Sequence, residues 1–151
     1  MKNPISYNAF QKTDFESLLK MGLKLWKDYE TAELRKQLEI VCSSSNQKII
    51  IAKNEKAIAI GFSIFSIRND YVEGANQSPT GYLEGIYIAS AFRNKGIARK
   101  FMQLGEQWLK ANNCIQIGSD TWLTDIASRK FHKKIGFWEE EELVHFLKDI
   151  K

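Results

Sequence analysis

The sequence predicts an α/β (α+β) domain in which about four helices surround one central mixed sheet. Its 151 residues suffice to bury one hydrophobic core but not comfortably two. Hydrophobic residues make up 44% and charged residues 26%, the proportions of an ordinary globular protein. Segments with a helical spacing of apolar residues alternate with short segments rich in Ile and Phe, as in architectures that pack helices on a sheet. We therefore expect residues 1–151 to form a single domain.

The first half of the chain is predicted to contain two helices followed by a hairpin. Thr13 and Glu16 have the spacing of a capping box, and apolar residues recur on one helical face after it. Residues 43–46, three serines and an asparagine, end the second helix, and the hydrophobic period then changes to that of strands. The predicted ranges are a strand near Ile5, a helix from the capping box to about Trp26, a helix at 32–42, and strands at 48–53 and 57–68.

The second half is predicted to alternate strands and helices after a long loop. Residues 69–81 carry Asn, Asp, Gly, Ser and Pro, which favour a loop long enough to be functional. Gly136 is placed to end the last helix. The predicted ranges are strands at 82–88 and 114–118, helices at 96–111 and 125–135, and a final strand at 137–147 that the acidic run 139–142 interrupts.

Charge and composition narrow the classes of partner. Lys plus Arg is 22 and Asp plus Glu is 18, so 22 − 18 gives a net charge of +4 that is scattered rather than clustered. Nucleic acids and anionic membranes normally require a basic cluster or stripe, so we expect neither as a partner. The apolar stretch at 57–67 is too short to span a bilayer, and residues 1–4 lack the apolar segment of a signal peptide, which favours the cytoplasm. Cys42 and Cys114 form no metal-ligand spacing with His132 or His145, so we expect no metal.

The strongest local motif is Arg-Asn-Lys-Gly-Ile-Ala at residues 93–98, between a predicted strand and a predicted helix. Glycine at a helix start lets a ligand approach the backbone, and the free N–H groups and the helix dipole there favour an anion. The motif therefore predicts a pyrophosphate-binding turn. The alternative is that Gly96 only packs the helix and that the flanking cations are solvated.

These residues carry a resemblance to a known family. Residues 93–98 resemble the acetyl-CoA-binding segment of the GCN5-related N-acetyltransferase (GNAT) superfamily, and the order of elements is similar to that fold, whose central sheet is mixed and mostly antiparallel. Further segments resemble the aminoglycoside 6′-N-acetyltransferases. They are residues 66–74, 78–79, 83–88, 119–121 and 132–137, with Leu25-Trp26 as a weaker match upstream.

The resemblance implies acetyl-CoA as co-substrate and a set of residues that bind it. The backbone of the strand at 86–88 would pair with the pantetheine arm and polarise the thioester carbonyl, and the amides of 94–98 would bind the pyrophosphate. Asp125 stands where many relatives have asparagine, which leaves its contact with the cofactor open. The implied cofactor-binding residues are Ile86, Tyr87, Ile88, Arg93, Asn94, Lys95, Gly96, Ile97, Ala98, Arg99 and Asp125.

The resemblance also implies an acidic acceptor pocket. An aminoglycoside is a polycation, so a protein of positive net charge needs local negative charge to bind it. Glu84 and Asp120 match the family's substrate-site carboxylates, which could bind the ammonium, accept its proton or act through water. Trp26 and Tyr71 match aromatic residues that cover sugar rings in the same pocket. Without the resemblance, the two carboxylates would be interpreted as exposed charges at a strand edge or a helix cap.

His132 stands where many members of the superfamily have a tyrosine that serves as general acid near the sulfur of CoA. An imidazolium could protonate a thiolate whose thiol pKa is about 8.5. The alternative is a structural histidine on an amphipathic helix. Glu84, Asp120 and His132 are therefore the candidate catalytic residues.

The function implied is an aminoglycoside 6′-N-acetyltransferase that acts by direct transfer in a ternary complex and confers antibiotic resistance. One alternative is an acetyltransferase of the same fold for a polyamine, another small amine or a protein amine, and a second is a non-catalytic acyl-CoA-binding module. The resemblance also implies a homodimer, in which the final strand could help to pair the subunits. The acidic run 139–142 is either a rim that attracts polycations or a solvated turn.

Overall fold

Five strands in the order β1-β2-β3-β4-β5 form one sheet in the computed structural model, which describes residues 4–151. β1 to β4 pair antiparallel with their neighbours, whereas β5 pairs parallel with β4. The mixed, mostly antiparallel sheet predicted from the sequence is therefore confirmed. The strands are β1 (Ser6–Ala9), β2 (Gln47–Lys53), β3 (Ala59–Arg68), β4 (Thr80–Ile88) and β5 (Ile117–Gly118).

Helices cover both faces of this sheet, because successive side chains of a strand point to opposite faces. In β2, Ile51 belongs to the core beneath α1 (Phe15–Leu25) and α2 (Thr31–Ser43), while Ile50 and Ala52 belong to the core beneath α3 (Ile97–Ala111). Among residues 4–151, no helix is long and apolar enough to cross a membrane. The last helix of this part of the chain is α4 (Ile126–Lys134).

The start of α1 differs from the predicted capping box. Thr13 lies inside a single turn of 3₁₀ helix, Lys12–Asp14, and α1 begins after it at Phe15. Asp14 Oδ2 accepts a hydrogen bond from Gln11 N at 2.9 Å, and Asp14 Oδ1 lies 2.6 Å from Lys53 Nζ on β2. A buried carboxylate with two partners, one of them distant in sequence, determines this helix start.

A β-bulge in β4 controls the geometry of the sheet where β4 and β5 separate. Ile64 of β3 pairs with Gly85 and Phe65 pairs with Leu83, so Glu84 is an extra residue without a direct partner. β5 pairs only with Gly81 and Tyr82 of β4. From Leu83 onward, β4 therefore has a free edge.

The final strand predicted at 137–147 is wrong for the single chain. After Gly136 the described residues form no further strand. Leu143, Val144, Phe146 and Leu147 are 65%, 77%, 85% and 90% exposed. A strand requires a neighbour to satisfy its backbone groups, and this segment has none within the described chain.

Candidate active site

The free edge of β4 presents unpaired backbone groups in the opening between β4 and β5. Ala89 N donates to Ile60 O on β3 at 2.8 Å. Since hydrogen-bonding direction alternates along an antiparallel strand, Tyr87 also faces β3, and Ile86 and Ile88 face the opening. An extended amide-containing chain could pair with Ile86 and Ile88. Tyr87 does not share this role, because its backbone faces β3 and its ring stacks on Phe62.

The turn between β4 and α3 has the geometry of an anion-binding site. Asn94 and Gly96 have positive φ angles of 60° and 82°, and Gly96 is the N-cap of α3. A Cβ built on Gly96 would meet no atom within 4 Å, so open space lies in front of this backbone. Amides at the N-terminus of a helix attract phosphate, and the absence of a side chain allows close approach. The residues thus fit the pyrophosphate of coenzyme A.

Side chains around this turn divide into those free to contact a ligand and those used by the fold. Lys95 and Arg99 are exposed, and Lys134 at the end of α4 donates to Asn94 Oδ1 at 3.3 Å. Arg93 Nε donates to Ile88 O at 2.9 Å, which removes that carbonyl from the free edge. The side chain of Ile97 is 1% exposed in the core, so only its backbone can serve a ligand.

Asp125 has a structural role at the start of α4. It is the N-cap of α4, and its Oδ1 accepts from Ser128 N at 2.9 Å. A carboxylate at this position satisfies a free N–H and complements the helix dipole. This contact holds the start of α4, the helix that carries His132.

On the acceptor side, Glu84 is held by two residues of β3. Arg68 contacts both oxygens, with Nη2 at 2.9 Å from Oε1 and 3.0 Å from Oε2 and Nε at 3.1 Å from Oε1. Ser66 Oγ donates to Oε1 at 2.5 Å. The carboxylate of Glu84, the extra residue at the bulge of β4, therefore reaches across to β3.

Asp120 follows β5 by two residues and is bound to β4 through one hydroxyl. Tyr82 donates to Asp120 Oδ2 at 2.6 Å. Burial, and then the bond to Asp120, raise the pKa of the Tyr82 hydroxyl well above its ordinary value. The hydroxyl therefore remains a donor at physiological pH, and Asp120 remains its acceptor.

The two candidate aromatic residues occupy different positions. Trp26, just after α1, lies against β4, where a Cβ on Gly85 would come within 2.6 Å of its ring. Its ring thus lies against the residue that follows Glu84 in β4. Tyr71 is 78% exposed in the loop between β3 and β4. That loop packs on β5 through Val72, whose side chain a Cβ on Gly118 would meet at 2.9 Å.

His132 has hydrogen-bond partners on both ring nitrogens. Nδ1 lies 2.8 Å from Ser128 O, which can only accept, so Nδ1 carries a proton. Nε2 lies 2.8 Å from Ser119 Oγ, and Ser119 Oγ lies 3.2 Å from Leu83 O on β4. The ring is therefore connected to the opening through the residue that precedes Asp120.

The acidic run 139–142 is partly paired. Glu139 lies 2.6 Å from Arg129 Nε and 3.4 Å from Lys133 Nζ, and the Arg129 hydrogen bond lowers its pKa to about 2. Glu140 accepts from Trp138 Nε1 and lies against Gly74 of the β3–β4 loop. Neither Trp122 nor Trp138 is a core residue, since they are 80% and 68% exposed.

Sequence reasoning missed several residues that hold the site together. Ser66 and Arg68 lie two residues apart and so point to the same face of β3, and Tyr82 is the partner of Ser66 on β4. Period-two spacing does not distinguish a side chain of the site from one that only packs in the fold. Only pairing shows that these side chains meet Glu84 and Asp120. The structure adds Ser66, Arg68, Tyr82, Ser119 and Lys134 to the site. Among residues 4–151, no His, Cys, Asp and Glu side chains are grouped to hold a metal ion.

An open strand edge, an anion-binding helix N-terminus and an acidic wall together define the class of transferase that moves an acyl group from a coenzyme A thioester to an amine. The model of the acetyltransferase (GNAT) family matches residues 11–137. An aminoglycoside N(6′)-acetyltransferase type 1 of Acinetobacter haemolyticus is 34% identical over 132 residues, 87% of this chain and 90% of that protein. One of Salmonella enteritidis is 32% identical over 138 residues, 91% of this chain and 94% of that protein.

Solved structures agree with these relatives. An aminoglycoside 6′-N-acetyltransferase of A. haemolyticus superposes with a TM-score of 0.92 at 29% identity, covering 97% of this chain and 99% of that one. Another, solved with a bisubstrate analogue of CoA and acetylneamine, has a TM-score of 0.87 at 30% identity with the same coverage. The chain belongs to the GNAT acetyltransferase family and is an acetyl-CoA-dependent N-acetyltransferase. The family predicted from the motifs of the sequence is therefore confirmed.

Proposed function

We propose that the protein transfers the acetyl group of acetyl-CoA to the 6′-amine of aminoglycoside antibiotics, directly within a ternary complex, and thereby confers resistance. The observation that carries this is Asp120, an exposed carboxylate at the opening of the sheet. Among residues 4–151 it has no Lys or Arg partner, although the net charge of the protein is +4. The relatives named above as aminoglycoside acetyltransferases support this acceptor.

The cofactor residues have separate tasks. Acetyl-CoA supplies a thioester whose acyl carbon is open to attack by an amine. The edge of β4 at Ile86 and Ile88 holds the pantetheine arm, and the amides of residues 94–98 hold the pyrophosphate. Lys95 and Arg99 add positive charge beside the phosphates.

On the acceptor side, Asp120 binds the ammonium group and takes its proton, since only the neutral amine is a nucleophile. Trp26 and Tyr71 cover the sugar rings. His132 is the candidate general acid for the departing thiolate. In this role the histidine is an imidazolium with protons on both ring nitrogens. Nε2 would give its proton to Ser119 Oγ, its hydrogen-bond partner, and the Ser119 hydroxyl would give its own proton to the thiolate.

We also propose that the protein acts in the cytoplasm as a homodimer. The exposed segment after Trp138 carries the apolar side chains Leu143, Val144, Phe146 and Leu147. β5 is a two-residue strand at one edge of the sheet. A strand from a second copy could pair there, which would cover the apolar side chains and provide the partner that the final strand lacks.

The test is CoA release from acetyl-CoA with neomycin and, in parallel, with paromomycin, which has a hydroxyl in place of the 6′-amine. We expect turnover with neomycin and little with paromomycin. Equal turnover of both would contradict the 6′ position. If neither reacts while acetyl-CoA binds, the acceptor is a different amine, and polyamines and peptides are assayed next. Binding without turnover of any of these amines would identify a non-catalytic acyl-CoA-binding module.

A further inference from the structure

Arg68, the last residue of β3, contacts both Glu84 and Tyr82, the residue that donates to Asp120. Its guanidinium donates hydrogen bonds to Glu84 from Nε and Nη2. The same group lies over Tyr82, with Cζ 3.4 Å from the centroid of the ring. The Tyr82 hydroxyl in turn holds Asp120. Arg68 thus connects Glu84 on β4, directly, and Asp120 just after β5, through Tyr82.

The contacts of Arg68 leave the two carboxylates in different states. Glu84 Oε1 has donors from Arg68 Nε, Arg68 Nη2 and Ser66, and Oε2 has Arg68 Nη2, so most of its acceptor capacity of about four sites is used. Its charge is balanced by the guanidinium. The partner of Asp120 is a neutral hydroxyl, so its charge is not balanced and its second oxygen, Oδ1, remains for a ligand.

We propose that Arg68 is a positioning residue of the acceptor site, which neutralises and immobilises Glu84 and, through Tyr82, orients Asp120 as the carboxylate that receives the amine. The proposal rests on the proposed function, because it assigns unequal roles to two carboxylates of that site. It makes Glu84 an anchor for Arg68 and Asp120 the ligand of the incoming ammonium.

Lysine is not a substitute for Arg68. It keeps the charge but lacks the planar fork that holds both carboxylate oxygens, and it lacks the flat face that stacks on an aromatic ring. Arg68→Lys therefore frees Glu84 to rotate and removes the cover from Tyr82. Tyr82→Phe keeps the ring beneath the guanidinium and removes only the bond to Asp120.

The experiment measures steady-state kinetics of the full chain with acetyl-CoA and neomycin for wild type, Arg68→Lys, Tyr82→Phe and the double variant. We expect Arg68→Lys to lower kcat/KM for neomycin by about tenfold or more and to change the KM for acetyl-CoA by less than about twofold. Because both residues act on Asp120, the double variant should lose less than the product of the two single losses.

The matched control is Arg35→Lys. Arg35 also contacts both oxygens of a glutamate, Glu16, at 2.7 and 3.2 Å, and lies 5.6 Å from the ring of Phe15, but it joins α2 to α1 away from the opening. Its substitution should leave both kinetic constants unchanged. Thermal unfolding of every variant separates loss of fold from loss of positioning.

Three outcomes would overturn the inference. The first is a wild-type kcat/KM for neomycin in Arg68→Lys. The second is an equal loss of kcat/KM for neomycin and for acetyl-CoA in that variant. The third is a loss of kcat/KM in the double variant that equals the product of the two single losses. A wild type that acetylates another amine but not neomycin would contradict the proposed function only, and the same ratios are then measured with that amine. A wild type that acetylates none would contradict both.

Discussion

Glu84 and Asp120 have the same functional group and different surroundings. The first accepts from Arg68 and Ser66, whereas within residues 4–151 the second accepts from Tyr82 alone. Interaction with a guanidinium cancels most of the field of a carboxylate at the distance of a substrate, but a neutral hydroxyl does not. At the residue scale, chemistry at the opening is therefore expected to depend on Asp120.

Asp120→Asn tests this expectation. The amide keeps the size of the side chain but cannot neutralise an ammonium or take its proton, so kcat/KM for neomycin should fall by about a hundredfold. The KM for acetyl-CoA should remain near the wild-type value, because Asp120 lies on the acceptor side. Asp28→Asn, an exposed change between α1 and α2, is the control. An unchanged acceptor profile in Asp120→Asn would remove Asp120 from the site.

His132→Phe tests the proposed general acid. Phenylalanine retains a ring but loses the contacts to Ser119 and Ser128, so thiolate release and kcat should slow by about tenfold to a hundredfold. The measurement is kcat against pH, together with Ser119→Ala, which should share the slowed release. Wild-type rates across pH in His132→Phe would assign the histidine a structural role instead.

Gly96→Ala tests the cofactor turn. Alanine at a φ of 82° costs about 1–2 kcal/mol, and its methyl group would project into the open space in front of the turn. We expect the KM for acetyl-CoA to rise by about tenfold or more, because a pyrophosphate depends on close approach to the backbone. Gly136→Ala is the matched control, since Gly136 has a φ of 106° and equally open space. Equal effects of the two variants on the KM would refute a cofactor role for Gly96.

At the scale of the elements, close contact between α3 and β3 controls how the helix lies on the sheet. A Cβ on Gly105 would come within 2.2 Å of Phe65 Cζ, and Phe65 is fully buried. The cofactor turn begins α3, so this contact also determines how deeply the turn sits beside β4. Helical spacing predicts the apolar face of α3, but the spacing does not show how closely the helix approaches the sheet.

Gly105→Ala should therefore destabilise the protein although alanine favours helix. Overpacking against Phe65 costs about 1–3 kcal/mol beyond the gain of about 1 kcal/mol in helix propensity. Gly22→Ala in α1 is the matched control, because its nearest neighbour, Leu34 Cδ2, would lie 3.2 Å away. That variant should lie within about 0.5 kcal/mol of wild type. Urea unfolding measures both, and equal stability of the two variants would contradict the packing argument.

Local patterns predicted most elements to within a few residues. Helices α2 and α3 follow the expected ranges because their apolar faces repeat over several turns. β5 is shorter than the predicted 114–118, because only Ile117 and Gly118 pair with β4. The capping box predicted at Thr13 is wrong because Asp14, which pairs with Lys53 of β2, determines the start of α1. This contact joins residues 39 positions apart, so the local spacing of residues does not predict it.

At the scale of the whole molecule, the segment after Trp138 is the largest departure from expectation. Four of the five residues from Leu143 to Leu147 are apolar, a short apolar run that favours a strand, and yet within the described chain this segment has no sheet to join. Exposed apolar side chains in such numbers indicate an interaction surface. The proposed homodimer accounts for both the strand pattern and the missing partner.

The oligomeric state tests this account. Light scattering after gel filtration should give twice the 17.4-kDa chain mass for the wild type. Phe146→Glu places a charge on the apolar face and should yield monomers, whereas Lys148→Glu, also exposed, should leave the dimer intact. A monomeric wild type at micromolar concentration, or dimers of Phe146→Glu, would refute pairing through this segment.

The sequence by itself determined the class of fold and predicted the anion-binding turn at residues 93–98, because periodicity, helix starts and short motifs are local properties. It predicted the carboxylates of the acceptor side only through the resemblance to a known family. The tertiary structure alone decided that β4 bulges at Glu84, that Arg68 pairs with this carboxylate, that Tyr82 donates to Asp120, and that the last segment is not part of the sheet within the described residues. Each of these depends on strand register or on a partner distant in sequence, because such contacts form only when the strands pair in the folded chain.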